Sequence, residues 1–173
     1  METTKNKLTQ EETIFFEKLR NYLGTPIYFF GSIQRYDYLQ THSDIDVDIF
    51  ANDERDIIIK LQNLLDVKRN DFQKTLTIIN NRIVSGYKIK YTDEQKKINT
   101  ELCIFNEKYK NDVINSQKSK FNLSYLMCSI LLLLKILHYE LNIMSFKIFR
   151  QLKNYFIGIT NTDKRNFIIM DMD

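Results

Sequence analysis

Residues 44–50 read Asp-Ile-Asp-Val-Asp-Ile-Phe, with acid and apolar side chains alternating along the run. Period two is the period of a β-strand, in which side chains at i and i+2 share a face and stand roughly 6–7 Å apart. The pattern predicts a strand that turns Asp44, Asp46 and Asp48 to one side and packs Ile45 and Val47 into a core on the other. A half-buried strand whose acids merely face water would carry this pattern too. Three carboxylates on one face repel each other without a cation, so a site that gathers cations accounts for the run better.

The rest of the chain fits around such a strand. Thr9-Gln-Glu-Glu12 has the form of a capping box opening a helix, with Ile14, Phe15, Leu19 and Leu23 on one side and Gly24 as its stop. Residues 27–30 form a short apolar strand leading into Gly31-Ser32, and the polar segment 33–42 has room for a short helix. Asn52 or Asp53 caps a second helix carrying Ile57, Ile58, Leu61, Leu64 and Leu65. Three β-like runs follow, over residues 75–79, 83–91 and 98–105. From about residue 106 the pattern is helical, with an apolar helix over 125–141 and another after Ser145. That last helix presents Phe146, Phe149, Leu152 and Phe156 on one side and is expected to stop at Gly158. Strands in the middle and helices at both ends give an α+β (mixed α/β) class. With 173 residues and no repeat or linker, the expected organisation is a single domain. Its α/β core would span residues 1–105 and its helical C-terminal part 106–173.

Composition removes several function classes. Cys103 and Cys128 lie among apolar residues and form no CxxC, which argues against zinc and a disulfide framework and for reduced thiols in a cytoplasmic protein. The first twelve residues hold no apolar run, so a secretory leader is not expected, and the sequon Asn122-Leu-Ser124 should be idle. The run Leu131–Leu134 is broken at Lys135, well short of the ~20 residues that span a bilayer, so no membrane partner is expected. The only glycines, Gly24, Gly31, Gly86 and Gly158, cannot build a P-loop or a GxGxxG turn. An EF-hand starting at Asp44 would need Gly at Ile49 and Glu at Arg55. His42 and His138 are too far apart for HExxH zinc chemistry. Charge is uneven: residues 1–81 hold 10 basic and 13 acidic side chains, and residues 82–173 hold 15 and 9. An acidic centre beside a surface tolerant of phosphates has this form, as does a protein with a lysine-rich solvated helix.

The chemistry concentrates in residues 29–50. Asp44 and Asp46 converge on one face, and an all-oxygen ligand pair selects hard cations, Mg²⁺ or Mn²⁺. Gly31-Ser32 follows a strand, where glycine lets the backbone approach a phosphate and the serine hydroxyl can donate to it. An apolar residue, Gly31-Ser32, eleven residues and then Asp44-Ile-Asp46-Val resembles the signature of the DNA polymerase β-like nucleotidyltransferase superfamily. Ser43-Asp-Ile-Asp is similar to the form seen in its minimal single-domain members. The resemblance implies a mixed sheet with helices on one face and an NTP bound at the Gly31-Ser32 turn, with Ser43 at the same site. It implies two Mg²⁺ (or Mn²⁺) ions on Asp44, Asp46 and a third carboxylate from a neighbouring strand. Glu101, in Thr100-Glu-Leu-Cys-Ile-Phe105, is in the right place in the order, and relatives more often have Asp there. Asp48 is the other candidate. Arg35 falls where relatives place a basic residue on the triphosphate; a surface arginine is the competing reading. Lys88 and Lys90 can face the nucleotide or guard a strand edge, and Tyr91 and Tyr139 can stack on a base or fill the core. The acceptor stays open between a nucleic-acid 3′ end and a protein or small-molecule hydroxyl. An inactive nucleotide-binding or interaction module is the alternative of a different class.

Overall fold

The structure, a computed structural model, describes residues 2–40, 42–118, 123–160 and 168–170. Helix α1 (Gln10–Leu23) opens on the expected box: Glu12 N–H donates to Thr9 Oγ1 at 3.1 Å, and Thr9 N–H donates to Glu12 Oε2 at 2.7 Å. It closes at Gly24, whose φ of 67° is left-handed. Strand β1 (Ile27–Phe30) runs into a 3₁₀ turn, Gly31–Gln34. Strand β2 (Ile45–Ala51) follows, then α2 (Glu54–Leu65), capped by Asp53 through its acceptance from Arg55 N–H. Next come β3 (Gln73–Ile79), β4 (Arg82–Asp93) and β5 (Ile98–Asn106). The C-terminal part holds α3 (Lys110–Lys118), α4 (Tyr125–Lys135), a π turn (Ile136–Glu140), α5 (Phe146–Thr160) and β6 (Ile168–Met170).

The strands form one mixed sheet in the order β1-β2-β5-β4-β3-β6, in which β2 and β5 are parallel and the other neighbours antiparallel. The class is α+β. On one face Ile45, Val47 and Ile49 of β2, Leu102 and Ile104 of β5 and Ile89 of β4 are buried against α1 and α2. Those helices contribute Phe16, Leu19 and Leu23, and Ile57, Ile58, Leu61 and Leu65. Each such buried side chain contributes about 1.5–3 kcal/mol of apolar burial. On the opposite face Phe50 and Phe105 pack with Val113 of α3 at the finishing ends of β2 and β5. The starting ends of those two strands, on that same face, are left for polar side chains.

Four expectations are corrected. The buried stripe of α1 is centred on Phe16 rather than Ile14, which is 53% exposed; Phe15 is half-buried and stacks on Tyr91. The apolar helix predicted over 125–141 is α-helical only to Lys135 and then widens into the π turn. Gly158 does not stop α5, which runs on to Thr160. The C-terminal part is not wholly helical, because residues 168–170 pair with β3 from Lys74↔Met170 to Leu76↔Ile168. Both cysteines are free, Cys103 half-buried and Cys128 buried. The sequon's asparagine, Asn122, lies outside the described residues. No helix among the described residues is long and apolar enough to cross a membrane.

Candidate active site

The parallel pairing of β2 with β5 sets Asp46 directly beside Glu101, and Thr100 Oγ1 fixes that register by donating to Ile45 O at 2.7 Å. Asp44 lies just ahead of β2, so its carboxyl joins the same corner. Asp44, Asp46 and Glu101 each offer an oxygen within 4.8 Å of the others, and all three are half-buried. Asp48 is outside this group. It is buried further along β2, beside Cys103 in the register and facing Tyr28 and Ile114.

Such crowding has an electrostatic cost. Burial, then the charges of Asp44 and Glu101, push the Asp46 carboxyl up to about 8. Asp46 itself has no cation in direct contact among the ion pairs of the described residues, and the ligand atoms of the three acids are all oxygen. That combination fits a hard divalent cation.

Gly31 closes the corner from β1. The antiparallel pair Phe30↔Asp46 brings the following backbone over the acid, where Gly31 has φ 73°. A Cβ there would overlap Asp46 Oδ2, so only glycine leaves the carboxylate its place. Ser32, buried in the 3₁₀ turn, lines the same space.

From this corner opens a cavity of about 260 Å³. Gly31, Ser32, Arg35, Ser43, Asp44 and Asp46 form one wall, and Lys135, Tyr139, Phe149 and Lys153 of the helical part form the other. The Arg35 guanidinium lines the cavity but is forked onto Asp37, Nε to Oδ1 at 2.7 Å and NH2 to Oδ2 at 2.9 Å. Lys135 Nζ donates to Asp37 O at 2.6 Å and to Ser43 Oγ at 2.9 Å, and lies 3.4 Å from Asp37 Oδ2. Burial works to raise Asp37, but the Arg35 hydrogen bonds and charge, with Lys135, outweigh it and hold the carboxyl below the usual range. Burial lowers the Lys135 ammonium to about 8 against the opposing charge of Asp37. Tyr139 lies over His42 with ring centroids 5.1 Å apart and meets Phe149 edge-on.

On the other side of the acids β4 presents two lysines. Lys88 is flanked on both sides, by Gln73 of β3 and Cys103 of β5, whereas Lys90 lies beyond the β3 pairing and has only β5 beside it. Lys88 Nζ is 2.7 Å from Glu101 Oε2, and Lys90 Nζ is 4.0 Å from Asp44 Oδ2. Burial opposes the charge on Lys88, yet the Glu101 hydrogen bond and charge raise it above its ordinary value.

The structure thus brings Gly31, Ser32, Arg35, Ser43, Asp44, Asp46 and Glu101 to one corner and leaves Asp48 and Tyr91 outside it. Sequence reasoning missed Lys135, Asp37 and Lys153. For Lys135 the signal was present, a lone charge ending the run Ile130-Leu-Leu-Leu-Leu134. Asp37 carries no such mark within its polar segment.

No family model matches the chain, and no curated protein matches it. Among solved structures it is similar to the Cid1 poly(U) polymerase with MgGTP bound, at 16% identity and a TM-score of 0.38. That likeness covers 73% of this chain and 41% of that one, so the chain spans less than half the length of the polymerase structure.

Proposed function

We propose that the chain is a metal-dependent nucleotidyltransferase of the DNA polymerase β-like kind, moving a nucleoside monophosphate from an NTP to an acceptor hydroxyl. The observation that carries this is the convergence of Asp44, Asp46 and Glu101 under the Gly31-Ser32 turn. In the reaction the acceptor oxygen bonds to the α-phosphorus, the bond from that phosphorus to the bridging oxygen breaks, and pyrophosphate leaves. Asp44, Asp46 and Glu101 would hold two Mg²⁺ or Mn²⁺ ions, which supply Lewis acidity at the phosphoryl oxygens and at the attacking and leaving groups. Ser32 and the Gly31 backbone orient the triphosphate from one wall. Lys135 and Lys153, with Arg35 and Ser43, give the cavity the positive and donor groups that a triphosphate needs. Glu101 takes the acceptor's proton or orients the hydroxyl that loses it.

The acceptor approaches from the β4 side, where Lys88 and Lys90 flank the acids. Two ammonium groups there favour a phosphate-bearing acceptor such as a nucleic-acid 3′ end.

The test is incorporation of label from an α-³²P-NTP with Mg²⁺ or Mn²⁺ into candidate oligonucleotide, protein and small-molecule acceptors. Asp46→Asn should lose the labelling while its melting temperature stays within a few degrees. Glu101→Gln, nearly isosteric, should lose about 10²-fold or more in turnover with NTP binding kept, the range for removing a general base. Labelling at full rate in Asp46→Asn would overturn the assignment.

A further inference from the structure

The acidic corner is not left bare by the chain. Register places Lys90, not Lys88, directly across from Glu101, with Lys88 opposite Cys103. Yet it is Lys88 that reaches forward along β4 to Glu101 Oε2 at 2.7 Å, the separation of a charge-assisted hydrogen bond. The pair is sheltered, the two side chains being 32% and 21% exposed. Lys90 is 59% exposed and 4.0 Å from Asp44, a looser contact. An ammonium therefore already occupies one oxygen of the carboxylate that a cation would need to complete the three-carboxylate set.

Resting on the metal-binding reading above, we propose that Lys88 is a built-in competitor for Glu101, which a divalent ion must displace to engage all three carboxylates. Lys88 is a positioning residue in this sense: it holds one oxygen of Glu101 on the β4 side and sets how tightly the corner takes a cation before substrate arrives. Two cations competing for one carboxylate make the ion's affinity lower than the same three acids would give alone. The freed ammonium then remains on the acceptor side of the acids.

The test is Mn²⁺ binding without nucleotide, followed by paramagnetic resonance of the free ion and by calorimetry. Lys88→Met should bind Mn²⁺ about threefold to tenfold tighter than the unaltered protein, the range for removing a partly sheltered, charge-assisted ion pair. Lys88→Gln should behave likewise, which guards against a packing fault peculiar to methionine, and Lys88→Arg should stay within about twofold of the parent. In a Glu101→Gln background Lys88→Met should gain less than about twofold, because the carboxylate it competes for is gone. Lys90→Met should also change affinity by less than about twofold, being exposed and screened.

Unchanged or weaker binding in both Lys88→Met and Lys88→Gln overturns the proposal. So does an equal gain with and without Glu101, which would be a general field effect rather than displacement. If Asp46→Asn abolishes Mn²⁺ binding while both neutral Lys88 variants match the parent, the competitor role fails and the metal centre stands. Should Asp44→Asn and Asp46→Asn bind as well as the parent, or no form bind at all, both fall together.

Discussion

At the residue scale the decisive feature is the Asp46 carboxyl. It is placed by β2, covered by the Gly31 backbone and crowded by Asp44 and Glu101. Because burial and those two charges raise it to about 8 from an ordinary value of 3.8, its titration is a statement about stability. Below about pH 4 it is protonated in both the folded and unfolded chain, and its placement costs little. Between about pH 4 and 8 the unfolded chain releases the proton and the folded chain keeps it, so folded stability falls as pH rises through that window. A divalent cation bound at the corner would offset that rise by placing positive charge against the buried carboxylate. Melting temperatures in EDTA should therefore decline from about pH 5 to pH 8, and millimolar Mg²⁺ should restore more at pH 8 than at pH 5. Asp46→Asn should flatten both trends. A Mg²⁺ increment independent of pH in the parent protein would rule out this corner as the ion's site.

At the scale of elements, α4 is tied to the polar segment between Ser32 and Asp44 by a buried cluster. Asp37 is 1% exposed and serves two cations at once, Arg35 and Lys135. Removing an acid from such a set leaves uncompensated buried charge, which costs about 3–5 kcal/mol, whereas removing one of the two cations leaves an intact pair. Asp37→Ala should consequently lower the melting temperature by about 6–20 °C at 2–4 °C per kcal/mol, and Lys135→Met by clearly less. Equal losses, read by calorimetry, would mean that the cluster does not act as a unit.

This cluster also marks where sequence stops being legible. The Thr9-Glu12 box and the sidedness of β2 are local patterns realised as read, and of the two cap candidates, Asn52 and Asp53, Asp53 is the one that caps α2. Asp46 beside Glu101 was legible only through the order of elements, since periodicity places each acid on its own strand and says nothing of which strands pair. Lys135 and Asp37 are 98 residues apart, and no periodicity links them. The failed stop at Gly158 has a related cause. An internal glycine costs a helix about 1 kcal/mol, an amount that α5 offsets by packing Phe149 against Leu131 and Leu134. Residues 168–170 make too short a run to announce a strand; β3 supplies the partner.

Across the whole molecule the acids form a narrow divide between two groups of cations. Arg35, Lys135 and Lys153 line the cavity on the Gly31-Ser32 side, while Lys88 and Lys90 stand on β4 opposite. The net charge of +3 is small, so attraction of a polyanion would come from this arrangement rather than from the molecule's overall field. If the acceptor is a nucleic-acid strand reaching the acids across β4, Lys88 and Lys90 replace counterions condensed on its phosphates, and those ions are released to the solvent. Each contact on a single strand then contributes about −0.7 to the slope of log K against log salt. Binding of a labelled single-stranded oligonucleotide, measured with NTP and Mg²⁺ from low to moderate salt, should show a slope of about −1.4 or steeper. Lys90→Met should bring that slope about 0.7 closer to zero, with affinity lost most at low salt. A flat salt dependence, or no binding at micromolar protein, would exclude a strand on β4 and leave a protein or small-molecule hydroxyl as the acceptor. Steep binding that Lys90→Met leaves unchanged would keep the nucleic acid and move its path away from β4, toward the cavity cations.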